Sequence, residues 1–149
     1  MECVVREMRA EDRATWASMR ASLWPDEDRN ILAQEIDGFL GSSDAWGFVA
    51  ETADDAPVGF AELAIRRYAN GCETQPVPFL DGIWVKDEFR RQGIGARLIG
   101  YLEAFLVVRG YRELGSDALI DNPISHESHR GWGFSETERV VYFRKSLGG

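Results

Sequence analysis

The sequence contains little cysteine and little histidine. Only Cys3, Cys72, His126 and His129 occur in 149 residues, and they form neither a Cys-x-x-Cys pair nor a metal-ligand spacing. A disulfide framework and a zinc site are therefore not expected, and we expect both thiols to be reduced. The prediction is a protein that needs no metal.

Long apolar runs and an excess of positive charge are also missing. The sequence has neither an apolar signal segment at its start nor about 18 uninterrupted apolar residues. It carries 17 Lys and Arg against 25 Asp and Glu, a formal net charge of −8. This balance argues against a nucleic-acid or anionic-membrane surface and leaves a cationic small molecule as a plausible ligand. We therefore expect a cytoplasmic protein that contacts neither membranes nor nucleic acid.

The apolar content is sufficient for one core. Hydrophobic residues make up 44% of the chain and aromatic residues 11%. A chain of this length and composition suits a single domain over residues 1–149 and leaves no room for a second domain.

Apolar periodicity predicts a mixed α/β chain with strands on both sides of a long helix. The predicted strands are Cys3–Met8, Trp46–Thr52, Val58–Arg66, Phe79–Val85, Glu113–Ala118 and Thr137–Lys145. The predicted helices extend from Ala10 to a stop at Trp24-Pro25, from near Asp26 to Gly41-Ser42-Ser43, from Gly93 to Gly110, and from Ile124 to Trp132.

A basic turn with glycines, residues 89–98, follows the fourth strand and opens the third helix. The first turn of a helix has four backbone N–H groups without intrahelical partners and the positive end of the helix dipole. Gly93 and Gly95 lack a Cβ, so a pyrophosphate can approach the backbone, while Arg90 and Arg91 supply positive charge. The turn therefore predicts a phosphate site, the alternative being an ordinary helix start with incidental glycines.

This turn resembles the pyrophosphate-binding motif of the GNAT superfamily of acyl-CoA-dependent N-acetyltransferases. Arg90, Gly93 and Gly95 fill the pattern Gln/Arg-x-x-Gly-x-Gly/Ala. The resemblance implies a mixed, mostly antiparallel sheet flanked by four helices, with acetyl-CoA as co-substrate. It also implies that strand four splays from strand five, so that the backbone of strand four binds pantetheine. The cofactor-binding residues that it implies are Ile83, Trp84, Val85, Arg90, Arg91, Gln92, Gly93, Ile94, Gly95, Ala96 and Asn122.

Motifs outside the turn narrow the resemblance to aminoglycoside 6′-N-acetyltransferases, and they cover nearly the whole chain. The resemblance implies direct acetyl transfer to the 6′-amine of an aminoglycoside, and a homodimer. The segments that carry it are Leu23-Trp24-Pro25, Tyr68-x-Asn70-Gly71-Cys72, Phe79-Leu80-x-Gly82-Ile83, Ser116-Asp117, Asn122-x-Ile124-Ser125, His129, Gly133-Phe134 and residues 136–140.

The same resemblance implies a substrate site of aromatic and acidic side chains. Trp24 and Tyr68 would form aromatic walls, and Asp81, Asp117 and Glu138 would pair with ammonium groups, Asp117 nearest the reacting amine. Aminoglycosides are polycations rich in hydroxyls, so carboxylates and flat aromatic faces suit them. Asp117 would orient that amine or accept its proton. The family usually has Glu where this chain has Asp81. The structural alternatives are a loop cap for Asp117, a strand-edge charge for Asp81 and a solvated Glu138.

His129 is the candidate proton donor for the departing thiolate. It stands four residues before Gly133-Phe134, where many GNAT enzymes carry a Tyr with this role. Imidazole can perform this step near pH 7. The alternative is a histidine on the helix surface or in contact with CoA.

Two other functions stay open at this point. One is a GNAT enzyme for another amine, such as a polyamine or a peptide N-terminus, which would not need the two aromatic residues and three carboxylates together. The other is a sensor that binds acyl-CoA or an aminoglycoside without catalysis.

Overall fold

The computed structural model describes residues 2–148, and these form two compact units, one ending at Asp117 and the other beginning at Ala118. The first unit contains β1 (Cys3–Glu7), α1 (Arg13–Leu23), α2 (Arg29–Leu40), β2 (Ala45–Thr52), β3 (Pro57–Arg66), β4 (Val77–Val85), α3 (Ile94–Val108) and β5 (Gly115–Ser116). The second unit contains α4 (Pro123–Gly131). None of the helices in residues 2–148 is long and apolar enough to cross a membrane.

The five strands form one sheet in the order β1-β2-β3-β4-β5. Neighbouring strands are antiparallel except β4 and β5, which are parallel. The register between β3 and β4 shifts by one residue: Glu62 lies opposite Gly82 and Leu63 opposite Leu80, so Asp81 has no partner on β3. Asp81 is thus the extra residue of a β-bulge. The predicted mixed, mostly antiparallel sheet is confirmed.

Helices pack on both faces of the sheet. Adjacent residues of a strand point to opposite faces, and β2 shows both environments. The Phe48 ring packs against Phe105 and Tyr101 of α3, with centroids 5.1 and 5.5 Å away. Val49, the next residue, belongs to the core cluster of Trp16 from α1 and Ile36 from α2. The sheet therefore carries α3 on one face and α1 with α2 on the other.

The second helix and the fifth strand differ from their predicted bounds by a few residues. The second helix begins at Arg29 rather than near Asp26, because the carboxylate of Asp28 accepts hydrogen bonds from the N–H groups of Asn30 and Ile31 and caps the helix. The fifth strand is confined to Gly115–Ser116, shorter than the predicted Glu113–Ala118.

The prediction of a last strand over Thr137–Lys145 is wrong for the described chain. Residues 135–148 are in neither helix nor strand. Val141 and Phe143 are 76% and 92% exposed. Alternation of side chains favours an extended segment, but a strand also needs a hydrogen-bonded neighbour, and the pattern does not specify one.

Candidate functional site

The strands β4 and β5 separate immediately after two paired positions. Phe79 lies opposite Gly115 and Leu80 opposite Ser116, whereas β4 continues beside β3 as far as Val85. The splay implied by the sequence resemblance is therefore present within the first unit. Beyond Leu80, the β5 side of β4 has no β5 partner among the described residues, and Ile83, Trp84 and Val85 lie in this stretch.

Two carboxylates stand where the strands part. Asp81 and Asp117 directly follow the paired residues Leu80 and Ser116. Burial raises the pKa of the half-buried Asp81 carboxyl. The hydrogen bond and the positive charge of Arg66 lower this pKa, whereas the negative charge of Asp117 raises it further. The two carboxylates therefore interact electrostatically and form an acidic pair that can attract a cation.

Arg66 is a member of this site that sequence reasoning missed. Its Nη2 donates to Asp81 Oδ1 at 2.7 Å, and its Cζ lies 3.6 Å from the ring centroid of Phe79. The sequence indicates only that a carboxylate within an apolar strand needs a partner or a function. Because Arg66 pairs with Asp81, the acidic pair carries one compensating positive charge before any substrate binds.

Trp24 lies beside the bulge that holds Asp81. It ends α1, and a Cβ built on Gly82 would lie 2.9 Å from its Cη2. Gly82 follows Asp81 directly, so the indole lies against the bulge. Tyr68, the second predicted wall, is 57% exposed in the loop between β3 and β4. Trp84, from the predicted cofactor set, is half-buried with its ring centroid 6.4 Å from that of Phe60.

A buried ion pair, also missed from the sequence, supports the bulge from β3. Glu62 is 1% exposed and accepts hydrogen bonds from Trp16 Nε1 at 2.7 Å and from Arg20 Nε and Nη2 at 2.7 and 3.0 Å. Glu62 stands within the apolar run of the third strand, the same signal that pointed to Asp81. Removing one partner of such a pair costs about 3–5 kcal/mol, because the other charge stays buried.

The glycine turn has the geometry of an anion site. Arg91 and Gly93 have φ of 63° and 83°, in the left-handed region that suits glycine. The N–H of Arg97 donates to Gly93 O at 3.0 Å and is the first in the helix with an intrahelical acceptor. The N–H groups of Ile94, Gly95 and Ala96 precede it and are the unpaired groups of a first turn.

The remaining residues of this turn are tied to its own backbone. Arg90 Nε donates to Val85 O at 3.0 Å, and Arg90 Nη2 lies 3.2 Å from Asp87. Gln92 Nε2 donates to Glu88 O at 3.2 Å. Arg90 thus joins the turn to the end of β4. A pyrophosphate fits this site because exposed backbone N–H groups and Arg91 are available to it and no side chain stands above Gly93.

Three predicted site residues belong to the second unit. Asn122 caps α4, its Oδ1 accepting from the N–H of Ser125 at 3.1 Å. His129 Nδ1 lies 2.7 Å from Ser125 O, and its ring contacts Trp132 and Phe134. Ser125 Oγ also lies 3.3 Å from Nδ1. Glu138 is exposed.

Metal ligation has no candidate in the part of the chain that the structure describes. No group of three or more His, Cys, Asp or Glu side chains in residues 2–148 is placed to hold an ion. Both cysteines are free thiols, as expected, and burial followed by the charge of Glu113 raises the pKa of Cys72.

Comparison with known proteins places the chain in a family. A sequence profile described as the Acetyltransferase (GNAT) family matches residues 6–134. The chain belongs to the GNAT acetyltransferases. Among curated GNAT relatives it is 40% identical over 144 residues to an aminoglycoside N(6′)-acetyltransferase type 1 of Stenotrophomonas maltophilia, covering 96% of this chain and 93% of that protein. It is 43% identical over 134 residues to the protein of the same name from Serratia marcescens, covering 89% and 92%.

Solved structures of aminoglycoside 6′-N-acetyltransferases also match this chain. The crystal structure of an aminoglycoside antibiotic 6′-N-acetyltransferase from Acinetobacter baumannii matches with a TM-score of 0.91 and 36% identity, covering 99% of this chain and all of that chain. The structure of AAC(6′)-Iy in complex with the bisubstrate analogue CoA-S-monomethyl-acetylneamine matches with a TM-score of 0.91 and 34% identity over the same shares.

Proposed function

We propose that this GNAT acetyltransferase transfers the acetyl group of acetyl-CoA directly to the 6′-amine of aminoglycosides and thereby confers antibiotic resistance. The observation that carries the proposal is the acidic pair of Asp81 and Asp117 at the point where β4 and β5 part. A polycationic amine suits such a pair, and the relatives that match over most of the chain are named for this activity.

The proposed acetyl-CoA site extends from the splayed strand to the glycine turn. The pyrophosphate would accept hydrogen bonds from the backbone of residues 92–96, and Arg90 and Arg91 would supply positive charge. The backbone of Ile83, Trp84 and Val85 would pair with pantetheine, because β5 leaves that edge at Leu80. Asn122 would be a further contact to acetyl-CoA. Bound there, acetyl-CoA supplies the thioester that the amine attacks.

The proposed amine site uses the acidic pair and Trp24. An alkyl ammonium has a reference pKa near ~10, so its proton must leave before or during attack. Asp117 is exposed and adjoins the splay, and we assign it the reacting amine, which it orients or deprotonates directly or through water. Asp81, Glu138, Trp24 and Tyr68 would bind the remaining ammonium groups and sugar rings.

Protonation of the departing thiolate is assigned to His129. The contact between Nδ1 and Ser125 O, 2.7 Å long, orients the ring for this role.

We further propose that residues 1–149 form one cytoplasmic domain and that this domain is a homodimer. The family profile spans the boundary between the two compact units, which supports a single domain. The second unit exposes an unusual number of large apolar side chains, which supports self-association. These residues are Leu119, Ile120, Ile124, Val140, Val141, Tyr142, Phe143 and Leu147. Light scattering of the full chain and of Phe143→Glu tests the dimer, which the charge should weaken.

One turnover assay tests the proposed reaction. Thiol release from acetyl-CoA is followed with aminoglycosides that carry a 6′-amine, with analogues that carry a 6′-hydroxyl, with polyamines and with peptides. We expect turnover with the 6′-amines alone. Equal turnover of the hydroxyl analogues would refute the regiochemistry, faster turnover of polyamines or peptides would indicate another amine substrate, and binding without turnover would indicate a sensor.

A further inference from the structure

Arg20 is a buried charged residue that the proposed reaction does not use. It is 5% exposed, and each of its three guanidinium nitrogens donates a hydrogen bond. Nε and Nη2 bond Glu62 on β3, whereas Nη1 bonds Leu32 O at 2.8 Å and Glu35 at 2.9 Å on α2. The guanidinium plane is therefore fixed in orientation by two elements of the fold.

The face of this guanidinium meets the indole of Trp24. The Arg20 Cζ atom lies 5.0 Å from the Trp24 ring centroid and 5.7 Å from that of Phe39. The backbone N–H of Trp24 also donates to Arg20 O at 2.9 Å. Trp24 is thus joined to Arg20 both through the last turn of α1 and through a cation–π contact.

The same indole reaches the bulge of β4. A Cβ on Gly82 would lie 2.9 Å from Trp24 Cη2 and 3.0 Å from Cζ2. Gly82 lies opposite Glu62, the partner of Arg20, and follows Asp81. The ring therefore lies in a closed chain of contacts, from Glu62 through Arg20 to Trp24 and back to the strand at Gly82.

We propose that Arg20 is a positioning residue that holds the Trp24 ring in the orientation in which it forms a wall of the aminoglycoside site. The inference rests on the proposed function, in which Trp24 touches the substrate. It assigns to Arg20 control of the KM for aminoglycosides, with the KM for acetyl-CoA left unchanged. A lysine keeps the charge beside Glu62 but loses the planar fork and its stacked face.

A double-mutant cycle of Arg20→Lys and Trp24→Ala tests this dependence. We expect Arg20→Lys alone to raise the aminoglycoside KM by roughly 5- to 10-fold, and to add nothing in the Trp24→Ala background, because coupled residues are not additive. Arg13→Lys is the matched control, since Arg13 lies on the same helix and pairs with Asp37 of α2 at the surface. It should leave both KM values unchanged.

Fluorine NMR of protein labelled with 5-fluorotryptophan gives a readout independent of turnover. Trp24→Phe identifies the Trp24 resonance, which should shift in Arg20→Lys and stay in place in Arg13→Lys. If Arg20→Lys does not fold, Glu35→Ala replaces it: this change removes the surface carboxylate that holds Nη1 of Arg20 and leaves the Arg20–Glu62 pair intact. It should shift the same resonance and raise the aminoglycoside KM.

The outcomes separate this inference from the proposed function. Equal effects of Arg20→Lys with and without Trp24 would overturn the role of Arg20. An unmoved Trp24 resonance in Arg20→Lys, or in Glu35→Ala where that variant replaces it, would also overturn this role. An unchanged aminoglycoside KM in Trp24→Ala would also overturn the role of Arg20. The proposed acetyl transfer to aminoglycosides would not be affected by that result. An enzyme that acetylated no aminoglycoside would refute the proposed function instead, and the resonance would still decide whether Arg20 positions the ring.

Discussion

Asp81 and Asp117 each follow directly on the last residue pair that joins β4 to β5, which is Leu80 and Ser116. Their charges interact, and Asp117 contributes to the raised pKa of Asp81. Under the proposed function, this pair would receive ammonium groups of the aminoglycoside.

Asp117→Asn tests the assignment of the reacting amine. The amide keeps the size of the side chain and removes both its charge and its capacity to accept the proton. We expect kcat/KM for a kanamycin-like substrate to fall by about 100-fold or more. Asp54→Asn, in the exposed turn after β2, is the matched control and should leave kcat/KM unchanged. A wild-type value in Asp117→Asn would show that the amine binds at another carboxylate.

Asp81 should make stability depend on pH. Its pKa is raised above the ordinary 3.8, so as pH rises the unfolded chain loses this proton before the folded chain does. The contribution of this group to the free energy of unfolding is full below 3.8 and is lost as pH rises through the folded-state pKa. Asparagine has no proton to lose. Urea unfolding from about pH 4 to about pH 7 should therefore show Asp81→Asn gaining stability relative to wild type. A difference that stayed constant or declined would contradict this.

Gly95→Asp tests the phosphate site. The new carboxylate would stand beside the unpaired N–H groups of the first turn of α3 and repel the pyrophosphate. Calorimetry should show CoA binding weakened by roughly 100-fold or more, while the unfolding transition changes little. Gly100→Asp introduces the same charge at an exposed position of the same helix, where a Cβ meets nothing within 4 Å, and should bind CoA normally.

His129→Phe tests the proton donor. If His129 protonates the thiolate, kcat should fall by about 100-fold with CoA affinity nearly intact. His126→Phe is the control on the same helix, since His126 Nε2 bonds Leu119 O. An unaltered pH–rate profile in His129→Phe would remove His129 from the mechanism.

The sequence predicted the sheet and its helices well where a local signal existed. Gly93, at φ 83°, is the N-cap of α3, as expected from its position before the apolar periodicity. The start of α2 was displaced because Asp28, rather than Asp26, is the residue whose side chain caps the helix. Such competition between neighbouring aspartates is decided by backbone geometry that residue types do not reveal.

The residues that pair with the acidic side chains in and below the site were less predictable from the sequence. Asp81 was recognised as unusual from its apolar surroundings, but Arg66 is 15 residues away in the chain and meets it only because β3 and β4 are paired. Glu62 is likewise a carboxylate within an apolar strand, and its partner, Arg20, is 42 residues away in the chain. Local sequence indicates which residue needs a partner, and the fold determines which residue supplies it.

The bulge in β4 leaves the side chain at position 81 outside the pairing of β3 with β4. Asp81 belongs to the strand but not to its pairing, since Leu80 and Gly82 hold the register on either side. Its side chain can therefore change length without moving a strand. The family resemblance indicates glutamate at this position, and aspartate here is such a change. Under the proposed function, a change of side-chain length at position 81 is therefore expected to alter contacts with the substrate while the pairing of β3 with β4 is kept.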